Sequence, residues 1–342
     1  MRGKKLTLLF ILAGLCLLMM FFSIGIGAVP IAPQKTVQVL IKHCTHPPLS
    51  VPVDTTGAII WQLRLPRIIL GFLVGASLAV AGTSFQGLLR NPLADPYTLG
   101  VSSGAALGAT AAMLFIPQGS ISLSFSIPLF GFAGGLLALL IVYRLGRVGG
   151  RLPVVTVLLA GVIISSFFSA LISLGMIFAG QQLRSIYFWL AGGLALKGWP
   201  YVVLIIPYFI VGLLVLLYYA GDLNIILLGE ESALSSGVEV EKVKKVVLVA
   251  ASLVTAGAVS VSGMIGFVGL IVPHAMRIIM GPDHRLLLPA AALGGGLFLV
   301  AVDTAARTVL APVEIPVGIV TAFLGAPFFI ILLRRYRDQY RF

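Results

Sequence analysis

The sequence predicts an all-α, polytopic membrane protein with about ten transmembrane helices. Of its 342 residues, 59% are apolar and only 10% are charged, and the mean hydropathy is +1.10. A soluble protein needs far more polar residues to cover its surface. Many apolar runs follow one another along the chain, and each has the roughly 20 residues that are needed to cross a hydrocarbon layer ~30 Å thick.

Ten apolar runs qualify as spans, and they form one transmembrane domain over residues 1–342. The first run follows the basic start "MRGKK". It is about twice as long as the apolar region of a signal peptide, so we interpret it as a retained span. Because ten is an even number, both termini lie on the same side. The predicted spans cover residues 6–28, 64–86, 94–115, 124–143, 154–179, 200–220, 245–263, 266–280, 286–306 and 316–333.

The distribution of basic residues orients these spans. The side that holds the termini carries 16 lysines and arginines, whereas the other side carries 7. Positive residues concentrate on the cytoplasmic side of membrane proteins, so both termini are predicted to be cytoplasmic. The net charge of +12 therefore reflects membrane topology and does not indicate nucleic-acid binding.

Two parts of the chain resemble each other. The segments "AGTSFQGLLRNP" (residues 81–92) and "SGMIGFVGLIVP" (residues 262–273) both place a glycine, then Gly-Leu, then a proline. The spans that precede them run in opposite directions in the predicted topology. Inverted repeats of this kind are typical of transporters.

Two long segments lie outside the spans. The cytoplasmic segment, residues 221–245, holds five of the 11 acidic residues, and within it residues 230–236 are predicted to form a short helix that ends at Gly237. The external segment, residues 29–63, contains "HCTH", in which His43, Cys44 and His46 could bind a metal. A single cluster without a second half indicates an ordinary loop instead.

The stretch "LLRNPLADP", residues 88–96, is a polar turn between the second and third spans. Pro92 and Pro96 stop helices, and they push Asn91 and Asp95 out of the helical region. The residues alone leave two interpretations open. The stretch is either a simple helix-to-helix turn or a gate at the inner mouth of a pathway.

Several charged residues lie at the external ends of spans. Asp303 and Arg307 are four residues apart and can pair on one helix face, and Glu314 begins the next span. Arg64 and Arg67 lie on the side where positive charge is disfavoured. Mutual neutralisation near the membrane surface and a functional role both remain open for these residues.

The absence of two sequence features indicates how transport would be driven. No G-x-x-x-x-G-K-[ST] motif occurs, so no loop for binding the phosphates of ATP is predicted in this chain. The spans also lack the series of acidic residues that ion-coupled carriers need. The driving force is therefore expected to come from a partner. The alternatives are a secondary transporter of a small polar solute, driven by an ion gradient, and a passive channel.

Five stretches resemble the FecCD family, the permease subunits of ABC importers for vitamin B12, haem and iron-siderophores. They are "WQLRLPR", "GLLRNPLADPYTLGVSSGAALGA", "LLGEESALSSGV", "GMIGFVGLIVPHAMRIIMGPDHRLLLPAAALGGG" and "EIPVGIVTAFLGAPFFIILL". The resemblance runs from about residue 55 to residue 333. It implies ten helices per subunit, a homodimer, two ATPase subunits that carry ATP and Mg, and an external binding protein. It also implies the cytoplasmic membrane of a prokaryote.

The resemblance also implies roles for individual residues, none of them catalytic, because the chain is expected to be a transport subunit and not an enzyme. Asn91 and Leu93 match the family's cytoplasmic gate, which favours the gate interpretation. Arg64, Arg67 and Arg307 match arginines that receive acidic residues of the binding protein. The matched residues of the coupling segment, which contacts the ATPase, are Gly229, Glu230, Glu231, Ala233, Leu234 and Gly237.

The shared motifs do not fix the ligand. Neither the external segment with "HCTHPPLS" nor the identity of the pathway-facing residues of the fifth, eighth and tenth spans is fixed by these motifs. An iron chelate, either a siderophore or haem, is the favoured ligand, and a corrinoid such as cobalamin is the other candidate.

Overall fold

The computed structural model describes residues 2–27, 29–45, 54–117 and 121–336, in which every regular element is a helix and the only β-type pairing is an isolated bridge between Val148 and Arg151. The α-helices are α1 (Arg2–Gly25), α2 (Pro33–Thr45), α3 (Thr55–Ala58), α4 (Leu65–Leu88), α5 (Val101–Phe115), α6 (Ile121–Gly146), α7 (Val154–Ile177), α8 (Leu183–Leu190), α9 (Trp199–Tyr218), α10 (Ala220–Ile226), α11 (Glu230–Ser235), α12 (Val240–Ser262), α13 (Val268–Met280), α14 (His284–Ala306) and α15 (Val317–Tyr336).

Ten of these helices coincide in order with the predicted spans. Seven of them, namely α1, α4, α6, α7, α9, α12 and α14, are long and apolar enough to cross a membrane. The three shorter apolar helices α5, α13 and α15 occupy the predicted third, eighth and tenth spans. The predicted all-α, polytopic fold is therefore confirmed over the described residues.

The helices α5 and α13 are shorter than the predicted spans for local reasons. The third span was predicted from residue 94, but α5 begins only at Val101, because Pro92 and Pro96 disfavour helix in the residues before them and Gly100, with a φ of +78°, is left-handed directly before Val101. The 13 residues of α13 rise only about 20 Å, less than the hydrocarbon thickness. Non-helical residues precede α13, and Phe267 among them has a φ of +68°.

The centre of the fold is the pair α4 and α14, which cross at glycines. A Cβ on Gly75 would lie 2.1 Å from the carbonyl oxygen of Gly295, and a Cβ on Gly295 would lie 2.3 Å from that of Gly75. Only glycine permits this approach, as expected where small residues let helices pack closely in a membrane. The helix α4 is almost wholly buried from Val74 to Leu88.

The two segments that resemble each other in sequence are packed together. A Cβ on Gly82 of α4 would lie 2.0 Å from the carbonyl oxygen of Gly269 in α13, and the side chain of Gln86 donates to that same oxygen at 3.2 Å. The helix α4 runs from Arg67 towards Asn91, whereas α12, which precedes the second segment, runs in the opposite direction. We refer below to the two ends of the molecule as the Arg67 face and the Asn91 face.

Candidate gate, coupling segment and docking face

The gate predicted from the sequence lies in residues 89–100, which join α4 to α5 without helical structure. Arg90 turns the chain through a left-handed conformation, with a φ of +49°. The Asn91 side chain then accepts a hydrogen bond from the backbone N–H of Leu93 at 2.9 Å. This bond fixes a tight turn around Pro92 at the end of the molecule.

The segment has a buried base and an exposed tip. Leu93 is 48% exposed, whereas Ala94 next to it is 1% exposed and Leu99 is also buried. Asn91 is half-buried. The structure therefore brings Asn91 and Leu93 together at the surface of the Asn91 face, with the Leu93 side chain outward.

The coupling segment forms two short helices on the same face, α10 and α11. Glycines separate and end them, because Gly229 has a φ of +127° and Gly237 a φ of +81°. After α11, Gly237 N–H donates to the Leu234 carbonyl and Val238 N–H to the Ala233 carbonyl, each at 3.0 Å. The short helix that the sequence predicts at residues 230–236 is therefore present, and Gly237 ends it in the predicted left-handed conformation.

The outer surface of α11 is apolar at two points. Leu234 is 62% exposed, and Leu228, just before the helix, is 77% exposed. Ala233 faces inward and is fully buried, whereas Glu231 is exposed. These two leucines, close together on one short segment, are a candidate surface for contact with a partner. Sequence reasoning found Leu234 but not Leu228, which lies directly before the matched glycine.

A buried lysine holds α11 in place. Lys244 of α12 has only 5% of its side chain exposed, and its Nζ lies 2.8 Å from Glu230 Oε1. The same Nζ lies 3.4 Å from both Glu241 Oε1 and the Leu152 carbonyl oxygen. Glu241 Oε2 in turn accepts from Leu152 N–H at 2.9 Å. Glu230 is thus turned towards α12, and Lys244, which sequence reasoning used only for orientation, is its partner.

Arg67 is the centre of an ion-pair network on the Arg67 face. Its Nη2 lies 2.9 Å from Asp303 Oδ1, and its Nη1 lies 2.9 Å from Glu314 Oε2. Asp303 is nearly fully buried, whereas 43% of the Glu314 side chain is exposed. Arg307 Nε lies 4.0 Å from Asp303 Oδ2, so the closer partner of Asp303 is Arg67 and not its helical neighbour.

Arg64 and Arg307 are buried and bind the end of α1. The Arg64 guanidinium donates to the carbonyl oxygens of Ile24 at 2.6 Å and Gly25 at 3.2 Å. Arg307 donates to the Ser23 carbonyl, and also to the Ser23 hydroxyl at 2.7 Å. The structure thus brings the three predicted docking arginines to one face, but their guanidiniums are used mainly in internal contacts.

The same face contains features that sequence reasoning missed. Leu196 is 94% exposed and has a φ of +57°, an unusual conformation for a leucine. Lys197 lies beside it, with Nζ 4.3 Å from the centre of the Tyr201 ring. Both line a cavity of about 620 Å³ that also reaches Arg67 and Glu314. No local motif marks these residues in the sequence.

The external segment begins with the amphipathic helix α2. Lys35 Nζ lies 3.2 Å from Asp54 Oδ2, and its hydrogen bond holds the pKa of the Asp54 carboxyl below its usual value. Residues 43 and 44 fall at the end of α2, whereas His46 lies outside the described residues. The metal interpretation of the "HCTH" cluster therefore stays a prediction.

A second cavity, of about 630 Å³, has an apolar wall. Its lining comes from the end of α8, the residues before α13, and α15, and it includes Met264, Phe323 and Ile330. Among the described residues that line it, Tyr97 is the one ionisable residue. The cavity is a candidate for one wall of a pathway, because α15 is the tenth span, whose pathway-facing residues the sequence did not fix.

Seven helices that are long and apolar enough to cross a membrane, three shorter apolar helices and the short helix α11 on the Asn91 face give the described part of the chain the architecture of a multi-pass membrane protein. The chain belongs to the FecCD transport family, whose sequence profile matches residues 15–335. This confirms the family resemblance and extends it towards both termini.

Individual relatives agree with this assignment. The chain is 48% identical to the cobalamin import system permease protein BtuC of Halobacterium salinarum, over 82% of this chain and 74% of that protein. It is 44% identical to the hemin transport system permease protein HmuU of Yersinia pestis, over 82% of this chain and 84% of that protein. A solved metal-chelate type ABC transporter, in an inward-facing conformation, superposes with a TM-score of 0.82 at 33% identity, covering 96% of this chain and 99% of that chain.

Proposed function

We propose that this chain is the transmembrane subunit of an ATP-driven importer that moves an iron chelate or cobalamin into the cytoplasm. Two copies would pair around a central pathway, two ATPase subunits would carry ATP and Mg, and an external binding protein would deliver the ligand. The observation that carries this proposal is the short helix α11. Leu234 is exposed on this helix and Leu228 is exposed just before it, and Glu230 anchors the helix on the same face as the 89–100 segment.

The Asn91 face is the proposed cytoplasmic face, in the cytoplasmic membrane of a prokaryote. It carries the larger share of the lysines and arginines, which follows the topology rule. The exposed leucines of α11 would then meet a cytoplasmic ATPase. Both chain termini would be cytoplasmic.

Asn91 and Leu93 are the proposed gate. The buried base at Ala94 and Leu99 fixes the turn, and the exposed Leu93 side chain is available to meet its counterpart in a second copy. A non-helical backbone is tolerated at membrane depth where it lines a cavity or is buried in protein. This supports a role at the mouth of a pathway rather than at the lipid.

The Arg67 face is the proposed docking face for the binding protein. Arg64 and Arg307 would build this face from within by holding α1, because their guanidiniums are buried. The exposed Glu314, the Arg67 edge and Leu196 are the groups that a partner could reach directly. Docking would therefore involve an exchange in which an acidic residue of the partner competes with Glu314 for Arg67.

The ligand is proposed to be a bulky chelate with an apolar surface. The relatives named above are permeases for cobalamin and for hemin. The described residues that line the apolar cavity wall with Met264 and Phe323 include no charged side chain, so this wall would let such a ligand pass without binding it tightly. The relatives support both an iron chelate and cobalamin, and uptake measured with each ligand distinguishes them.

The test uses the permease purified with its ATPase and reconstituted in liposomes. ATP hydrolysis and uptake are measured with the binding protein and, in turn, haem, cobalamin and several siderophores. One ligand is expected to stimulate both activities. Uptake by the permease alone, driven by an ion gradient in liposomes that lack any ATPase, would instead establish a secondary transporter and overturn the proposal.

A further inference from the structure

A polar cluster inside the Asn91 face joins the coupling segment to α14. The Asn224 Oδ1 atom accepts a hydrogen bond from His284 N–H at 2.8 Å and lies 2.9 Å from His284 Nδ1. The Asn224 Nδ2 donates to Asp283 Oδ1 at 2.6 Å. Because an amide oxygen can only accept, Nδ1 carries the proton of the imidazole. Asn224 thus caps the start of α14 from a different helix.

Asp283 reinforces this connection. Burial alone would raise the pKa of the Asp283 carboxyl, but hydrogen bonds from Arg285 N–H and from the Asn224 amide outweigh burial and hold the pKa below its ordinary value. The carboxylate therefore stays ionised and keeps accepting from Asn224. The hydrogen bond from Asn224 Nδ2 of α10 to Asp283, just before α14, is therefore charge-assisted.

The opposite side of the His284 ring presses against α4. His284 is fully buried, and a Cβ added to Gly87 would lie 2.4 Å from His284 Nε2. Gly87 belongs to the last turn of α4, four residues before Asn91. The imidazole therefore fills the space between α10 and the helix that leads into the gate.

Apolar packing ties the same elements together. Leu223 and Ile226 of α10 are fully buried, and they belong to one hydrophobic cluster with Leu88 and Leu89 at the end of α4. A close-packed interior leaves no room for α10 to move alone. A shift of α10 must therefore move the end of α4 or open a cavity.

We propose that Asn224 and His284 are positioning residues that transmit movement of the coupling segment to the 89–100 segment. Asn224 would carry the displacement of α10 to His284, and the His284 ring would pass it to α4 at Gly87. This inference rests on the proposed function, because it takes α11 as the ATPase contact and residues 89–100 as the gate. It adds the route between them.

The experiment measures gate movement and coupling separately. Cys16 and Cys44 are first replaced by serine, and Leu93→Cys is introduced as a reporter for a membrane-impermeant maleimide. The labelling rate is recorded in the reconstituted complex with and without nucleotide, together with co-purification of the ATPase and its rate of ATP hydrolysis. The test variants are Asn224→Ala, His284→Leu, His284→Asn and Gly87→Ala.

The variants are expected to differ in a specific way. Asn224→Ala and His284→Leu should still assemble and hydrolyse ATP, but the nucleotide-dependent change in labelling should fall by about two- to thirtyfold, as observed for other residues that carry coupling. His284→Asn places an amide donor near the position of Nδ1 but lacks the part of the ring that contacts Gly87, so its response should be smaller than that of wild type and larger than that of His284→Leu. Gly87→Ala, which displaces the ring from the α4 side, should lose it. Asp222→Asn, on the same helix but outside the cluster, is the matched control.

Two results would overturn the inference alone. One is a normal labelling response in His284→Leu or Gly87→Ala, and the other is an equal loss in His284→Asn and His284→Leu, since the second result would indicate packing rather than the hydrogen bond. A parent complex that assembles with no ATPase, or shows no nucleotide-dependent labelling, would overturn the proposed function as well. The two failures are therefore distinguishable.

Discussion

The guanidinium of Arg67 lies between two carboxylates, with Nη2 2.9 Å from Asp303 Oδ1 and Nη1 2.9 Å from Glu314 Oε2. This single side chain joins the start of α4 to the end of α14 and to the residue that leads into α15. Asp303 is 2% exposed, so its charge depends on that contact. Glu314, in contrast, is reached by solvent and by any partner that binds this face.

The Arg67–Asp303 pair predicts a large loss of stability. Arg67→Met would leave the Asp303 carboxylate buried and poorly paired, which costs about 3–5 kcal/mol when one partner of a buried pair is removed. Arg67→Met combined with Asp303→Asn should recover part of the loss, because the uncompensated charge is then gone. Thermal unfolding of the purified permease, followed by size-exclusion chromatography, measures both effects. Equal unfolding temperatures for Arg67→Met and wild type would show that the pair is not structural.

The Arg67–Glu314 pair predicts an effect on docking instead. Glu314→Gln should release one edge of Arg67 for an acidic residue of the binding protein and speed association by about two- to fivefold, the size expected of an exposed ion pair. The gain should shrink at high salt, because exposed charges are screened. Association rates of the binding protein with the immobilised complex provide the measurement. Lys35→Gln, which removes an exposed charge of the neighbouring α2, is the control, and a slower rate for Glu314→Gln would contradict competition for Arg67.

The sequence predicted the membrane helices well because each is a continuous apolar run, and apolar runs need no knowledge of partners. It predicted α5 less well, because prolines at residues 92 and 96 shorten a span that hydropathy alone extends to residue 94. Exposed site residues such as Leu234 could also be predicted, since Leu234 lies within the stretch "LLGEESALSSGV" that resembles the family.

The ion pairs of Arg67 with Asp303 and Glu314 could not be predicted from local sequence patterns. Arg67 is 236 residues from Asp303 and 247 residues from Glu314 along the chain, and only the packing of α4 against α14 brings them together. The expected pair of Asp303 with Arg307, its neighbour on the same helix, is present at 4.0 Å, but the unexpected contact with Arg67 is shorter, at 2.9 Å. The Asn224–His284 hydrogen bond could not be predicted for the same reason, because α10 and α14 meet only in the folded chain.

The exposed leucines of the coupling segment predict the ATPase contact. Leu234→Arg should leave the permease inserted but abolish co-purification with its ATPase, because an apolar contact would be replaced by an unpaired charge. Leu228→Arg should have the same effect, since its side chain is 77% exposed on the same segment. Leu234→Met, which keeps an apolar side chain of similar size, is the control. Normal ligand-driven ATP hydrolysis in both arginine variants would rule out α11 as the contact.

Lys244 predicts that the orientation of α11 matters as well as its surface. Lys244→Met would leave Glu230 and Glu241 without their common partner and should cost about 1 kcal/mol or less, because these side chains are 41% and 39% exposed and water can solvate them. We expect weaker assembly with the ATPase although every exposed residue of α11 is unchanged. Adding Glu230→Gln to Lys244→Met should restore part of the assembly. Titration of the ATPase against the permease variants gives the affinities, and identical affinities for Lys244→Met and wild type would contradict this role.

The final prediction concerns the gate itself. In a background without Cys16 and Cys44, cysteines at Asn91 or Leu93 should cross-link between two copies of the chain when the mouth is closed, because a disulfide requires a Cα separation of ~4.4–6.8 Å. Ala94→Cys is the matched control, since Ala94 is 1% exposed while Leu93 is 48% exposed, so a buried neighbour should not react. The yield at residues 91 and 93 should change with nucleotide in the complete complex, because the ATPase drives opening and closing. Cross-linking that never forms, or that is the same in every nucleotide state, would leave residues 89–100 as a simple turn between α4 and α5.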